Sequence, residues 1–201
     1  MDIIRNDLIV DGSYCYSSNV DVDIANIDQG SIQIDTVDLT PAAKVFAPTD
    51  IVVATSVITE AAHGFVTGLK VLMTSATTLP AGILSPAYVI KLTANTYTLA
   101  ASLADALAGT PFTITDQGTG NHTTTPSALN STTVTVAIQA SNDGVTYKAY
   151  ASNITTATIT GTSTELKDMT DKMNYRFLRV VITAAAGLLG LKVRLYGKRY
   201  R

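Results

Sequence analysis

Tyr175-Arg176-Phe177-Leu178-Arg179-Val180-Val181-Ile182 and Leu191-Lys192-Val193-Arg194-Leu195-Tyr196-Gly197 are the stretches that decide the fold. In both, aliphatic residues alternate with polar ones. A strand points successive side chains to opposite faces, so this period of two makes one face apolar and the other wet. In the second stretch Leu189, Leu191, Val193 and Leu195 are expected to face a core, with Lys192 and Arg194 on the other side. Upstream, Val134, Val136, Ile138 and Ala140 share a face, and Ser141-Asn142-Asp143-Gly144-Val145-Thr146-Tyr147 carries a turn signal. The pattern predicts an all-β sandwich.

The N-terminal part repeats the signature. Val20, Val22 and Ile24 alternate with Asp21 and Asp23, and Ile32 and Ile34 with Gln33 and Asp35. Residues 1–46 are too few to cover a sheet alone, so they are expected to complete the sandwich with 127–201. Between them, 47–126 changes character, with fewer charges and more Ala, Thr and Gly. It is expected to be a small, mostly β inserted domain. Strands are predicted at 51–57, 70–74, 87–92, 96–100 and 112–115, with one short helix from Ser102 to Gly109. The stretch from Gln117 to Pro126 reads as loop by composition.

Apolar residues make up 46% of the 201, which supports a real core. The net charge of −2 argues against a nucleic-acid binder. The charge is unevenly placed. Residues 1–50 hold nine Asp against Arg5 and Lys44, whereas nine of the 14 Lys and Arg lie from residue 167 onward. Such asymmetry invites pairing of the two ends, within one chain or between subunits. The basic run Lys192, Arg194, Lys198, Arg199 and Arg201 is the strongest interaction candidate. It reads either as a docking surface for an acidic patch or as an edge strand guarded by charge.

Chemistry-bearing motifs are sparse. The lone Cys15 excludes an intrachain disulfide and reads as a buried small hydrophobe between Tyr14 and Tyr16. His63 and His122 lack the spacing of a metal site, and His63 reads as a turn residue bonded to nearby backbone. Asp21 and Asp23 read as a solvated strand face. Gly118-Thr119-Gly120 has no βαβ unit around it and reads as loop. No catalytic residue, cofactor or metal is implied. No apolar stretch reaches the ~18 residues of a membrane span, and no basic-then-apolar leader opens the sequence.

The run from Ile58 to Val71, with His63-Gly64-Phe65 and Gly68, resembles a module that recurs in tailed-bacteriophage virion proteins. So do Leu79-Pro80-Ala81-Gly82-Ile83 and Tyr97-Thr98-Leu99-Ala100. The resemblance covers about residues 50–124. Ser141-Asn142-Asp143-Gly144-Val145 with Tyr147, and Tyr175 to Ile182, resemble jelly-roll sandwiches of the discoidin or carbohydrate-module type. Together they imply a non-enzymatic virion subunit, made in the cytoplasm of a bacterial host. A capsid decoration or head-fibre protein fits first. It would form a homo-oligomer and bind major capsid or tail proteins, with no nucleic acid or membrane as partner. The alternative is a tail-associated or carbohydrate-binding adhesion module. Its aromatic platform would come from Tyr14, Tyr16, Tyr147, Tyr150 and Tyr200, because the chain has no Trp.

Overall fold

A computed structural model describes residues 3–24, 29–129, 135–149, 163–169, 175–183 and 187–199. The chain divides into two compact units. One joins Met1–Leu39 to Leu129–Arg201, and the other is Thr40–Ala128.

The described strands of the first unit are β1 (Ile3–Tyr14), β2 (Ser18–Asp23), β3 (Gln29–Asp38), β11 (Thr135–Ser141), β12 (Lys148–Ala149), β13 (Ser163–Met169), β14 (Phe177–Thr183) and β15 (Leu189–Arg199). They form two four-stranded antiparallel sheets, β1-β15-β3-β13 and β12-β11-β14-β2. Counted one to eight along the chain, the sheets read 1-8-3-6 and 5-4-7-2. That is the strand order of a jelly roll. The fold is therefore an all-β sandwich of that topology.

The predicted faces meet in its core. Val136, Ile138 and Ala140 of β11 and Leu178, Val180 and Ile182 of β14 pack against Ile32 and Ile34 of β3 and Leu189, Leu191, Val193 and Leu195 of β15. Each fully buried Leu, Ile or Val contributes roughly 1.5–3 kcal/mol, which is offset largely by chain entropy. Val134 and the strand expected at 154–159 lie outside the described residues.

The second unit holds β4 (Lys44–Phe46), β5 (Ile51–Val52), β6 (Val57–Thr59), β7 (Lys70–Ser75), β8 (Ala87–Lys91), β9 (Thr96–Ala100), helix α1 (Leu103–Ala108) and β10 (His122–Pro126). Its sheet runs β4-β10-β7-β8-β9-β6-β5. The two edge strands are consecutive in sequence, with only residues 47–50 between them. Those steps span at most ~18 Å, whereas a flat seven-stranded sheet would hold its edges about 29 Å apart. The sheet must therefore curl on itself. Tyr97 of β9 and Thr124 of β10 meet hydroxyl to hydroxyl at 2.7 Å across the interior, although β7 and β8 separate their strands in the sheet.

Four expectations are corrected here. The dividing points are 39/40 and 128/129 rather than 46/47 and 126/127, because β4 pairs with β10 of the inner unit. The strand expected at 51–57 is broken by a 3-10 turn, Val53–Thr55, and Ser56 takes a left-handed conformation that folds β6 back onto β5. Residues 112–115 form no ladder, because their backbone bonds go to three separate partners, Leu99, Ser56 and Ala81. The loop reading of 117–126 misses β10, whose His122 and Thr124 are fully buried. The helix forms as expected. Ser102 caps its start by accepting from Asp105 N–H, and Gly109 ends it.

Candidate functional site

The basic strand β15 is an inner strand, paired with β1 on one side and β3 on the other. The guarded-edge reading is therefore corrected, since no edge of β15 is left for charge to guard. Lys192 stands in register between Asp11 and Asp35, and Arg194 between Leu8 and Gln33. Acid from the N-terminal region and base from the C-terminal region thus sit in one row of one sheet.

Around them the outer face of this sheet is polar and ordered. Gln33 donates to both carboxylate oxygens of Asp35 at 2.9 Å, and Thr164 of β13 donates to Oδ1 at 2.9 Å. Tyr196 donates to Gln33 Oε1 at 3.1 Å. Arg194 Nε is buried and has no hydrogen-bond partner among the described residues. Beside Lys192 and Asp35 a groove of about 380 Å³ opens, walled by Val37 and Leu39. Gly190 lies beneath these two side chains. A Cβ there would come within 2.6 Å of a Val37 methyl and 2.7 Å of a Leu39 methyl, so any larger residue would displace these side chains. The backbones of Lys198 and Arg199 continue β15 against Ile4 and Ile3. Their side chains and Arg201 lie outside what is described.

The outer face of the other sheet carries a second charged group. Arg179 on β14 grips Asp21 on β2 with two bonds, 2.6 and 2.9 Å. The Tyr147 ring covers its guanidinium at 3.8 Å. The Arg179 hydrogen bonds hold the Asp21 carboxyl below its ordinary value. Arg176 reaches Asp23 at 3.4 Å and lies over the Phe177 ring. Asp21 and Asp23 are thus exposed but ion-paired. The turn after β11 is pinned by Asp143, whose Oδ1 accepts from Ser141 Oγ and from the Val145 and Thr146 amides.

In the second unit both histidines serve structure. His63 Nδ1 accepts from the Phe65 amide at 2.9 Å, so Nε2 carries the proton toward Thr93 O at 3.1 Å. Burial keeps this ring neutral by lowering its proton affinity. This is the expected turn role. His122 bonds Gln117 O through Nε2 and leans against Phe46. The glycines of Gly118-Thr119-Gly120 let the backbone approach Thr78, whose amide and carbonyl both pair with Thr119. Cys15 is buried, which pushes its thiol up to about 11.

A group that sequence reasoning missed lies inside the curled sheet. Glu60 is nearly buried, and Tyr97 can donate to its Oε2 at 3.3 Å. Thr124 donates to Met73 Sδ at 3.0 Å. Nothing in Thr59-Glu60-Ala61 marks a carboxyl for burial, because its partner is 37 residues away. No family model, curated protein or solved structure matches the chain.

Proposed function

We propose that this chain is a non-enzymatic structural subunit of a bacteriophage virion. It acts as a capsid decoration or head-fibre protein that binds by surface complementarity. The observation that carries the reading is the 1-8-3-6 and 5-4-7-2 strand order with a second unit inserted between the third and fourth strands. Jelly rolls of this order build viral shells, though they also build lectins and enzymes. The resemblance of residues 50–124 to a recurring virion module favours the first of these. Binding would rest on burial of apolar and sheet surface between repeated subunits, with charge setting the register. The basic run Lys192, Arg194, Lys198, Arg199 and Arg201 is the docking element of this reading.

The adhesion reading is less well supported by the aromatic rings. Tyr14 packs partly against the sandwich core and Arg179 covers one face of the Tyr147 ring, so the protein itself already occupies part of both rings.

The test is the copy number of this chain in purified particles, measured by quantitative mass spectrometry against the major shell protein. Copies comparable in number to the shell subunits support decoration, a handful move the chain to the tail axis, and absence discards the virion reading. Joint charge reversal at Lys198, Arg199 and Arg201 is expected to weaken assembly. Unchanged assembly at physiological salt removes the basic run from the docking surface.

A further inference from the structure

The polar chain inside the second unit has fewer protons than its contacts require. Sulfur in Met73 can only accept, so the single Thr124 hydroxyl proton goes to Sδ at 3.0 Å. Thr124 Oγ1 then accepts the single Tyr97 proton across 2.7 Å. The Tyr97 oxygen is left as an acceptor toward Glu60, and the contact at 3.3 Å needs a proton from the carboxyl itself.

We propose that Glu60, Tyr97, Thr124 and Met73 form a one-proton switch, in which Glu60 holds a proton in the folded state and its loss reverses the hydrogen-bond chain. With the proton present, the chain runs from Glu60 through Tyr97 and Thr124 to Met73, and every member is paired. When the proton leaves to solvent, the Tyr97 hydroxyl turns to the carboxylate. Thr124 follows it, and the Met73 sulfur loses its donor.

The surroundings favour the protonated form. Glu60 is nearly buried, and desolvation is the largest effect on it, raising its proton affinity. Two charged groups act on it from neighbouring elements: Lys44 on β4 favours ionisation and Asp50, before β5, opposes it. Lys44 also stands opposite Thr124 in register. His63 faces the chain through Tyr97, its ring 5.1 Å from the phenol. It is held neutral and adds no charge until acid protonates it. Tyr97 itself is pushed far above its ordinary range by burial, so it stays a donor throughout.

The sign follows from the raised proton affinity. Below the ordinary Glu range both folded and unfolded states hold the proton, and the contribution is complete. As pH rises, the unfolded chain releases its proton first, so the folded unit loses stability until Glu60 itself ionises.

The direct test is a carbon-13 NMR titration of the Glu60 carboxyl in the full chain. A midpoint above the ordinary Glu value is expected, and one at or below it overturns the proposal. The second test compares thermal unfolding of wild type and Glu60→Gln from about pH 4 to about pH 8. The Gln amide donates to Tyr97 as the protonated acid does. The variant is expected to match wild type in acid and surpass it as pH rises. The comparison cancels the titration of His63, which both proteins share. A gap that stays constant with pH, or one that favours wild type at high pH, also overturns it.

Discussion

Two glycines in the second unit share a left-handed backbone yet differ in surroundings, and this separates two costs that are usually mixed. Gly109 ends helix α1 at φ 73°, and a Cβ built there meets nothing within 4 Å. Gly82 has φ 97°, and a Cβ there would lie 2.1 Å from the Thr113 carbonyl oxygen. Ala at position 109 therefore costs only backbone strain, about 1 kcal/mol. Ala at position 82 carries a similar strain and must also push the Thr113 carbonyl away. That movement adds about 1–3 kcal/mol of overpacking. It also disturbs the Thr115 N–H bond to Ala81 O at 3.0 Å, worth about 1 kcal/mol more. The total for Gly82→Ala is roughly 3–5 kcal/mol. In a unit of this size 1 kcal/mol shifts the midpoint by about 4–8 °C. Thermal unfolding of the full chain, followed by far-UV circular dichroism, should show a fall of ~5 °C for Gly109→Ala and ~15 °C or more for Gly82→Ala. Equal shifts would refute the argument that the Thr113 contact, rather than the backbone angle, requires Gly82.

Two further perturbations test the sandwich. Asp143 takes three donors on one oxygen, led by the Ser141 hydroxyl, and its carboxyl is held far below the usual range. Its contribution is complete above the ordinary Asp range and is lost as pH falls through the depressed midpoint. The stability gap between wild type and Asp143→Asn should therefore close only in strong acid, and an NMR midpoint at the ordinary Asp value contradicts this. Arg179→Ala removes the paired bonds to Asp21 and the Tyr147 stack, on a partly exposed face of the sheet. Its destabilisation should shrink as NaCl is raised toward ~1 M, where charges are screened within ~3 Å. A loss unaffected by salt would assign the role of Arg179 to packing instead.

What the sequence determined by itself was local. The inward faces of β11, β14 and β15 follow from period-two alternation, which any strand imposes on its own side chains. The cap at Ser102 and the stop at Gly109 follow from backbone groups within one turn. An inserted unit was also legible, from the change in composition between two stretches expected to complete one sandwich. What tertiary structure alone decided was pairing. Lys192 and Arg194 read equally well on an edge strand, because alternation does not say how many neighbours a strand has. Only β1 and β3, far away in sequence, make β15 an inner strand. His122-Thr123-Thr124-Thr125-Pro126 reads as loop because strand preference depends on what covers the side chains. The cover for Thr124 is Tyr97 and Met73. The same holds for Glu60. Its burial, and the proton it is proposed to keep, depend on hydroxyls that reach it only when the sheet curls, and no local pattern encodes that closure.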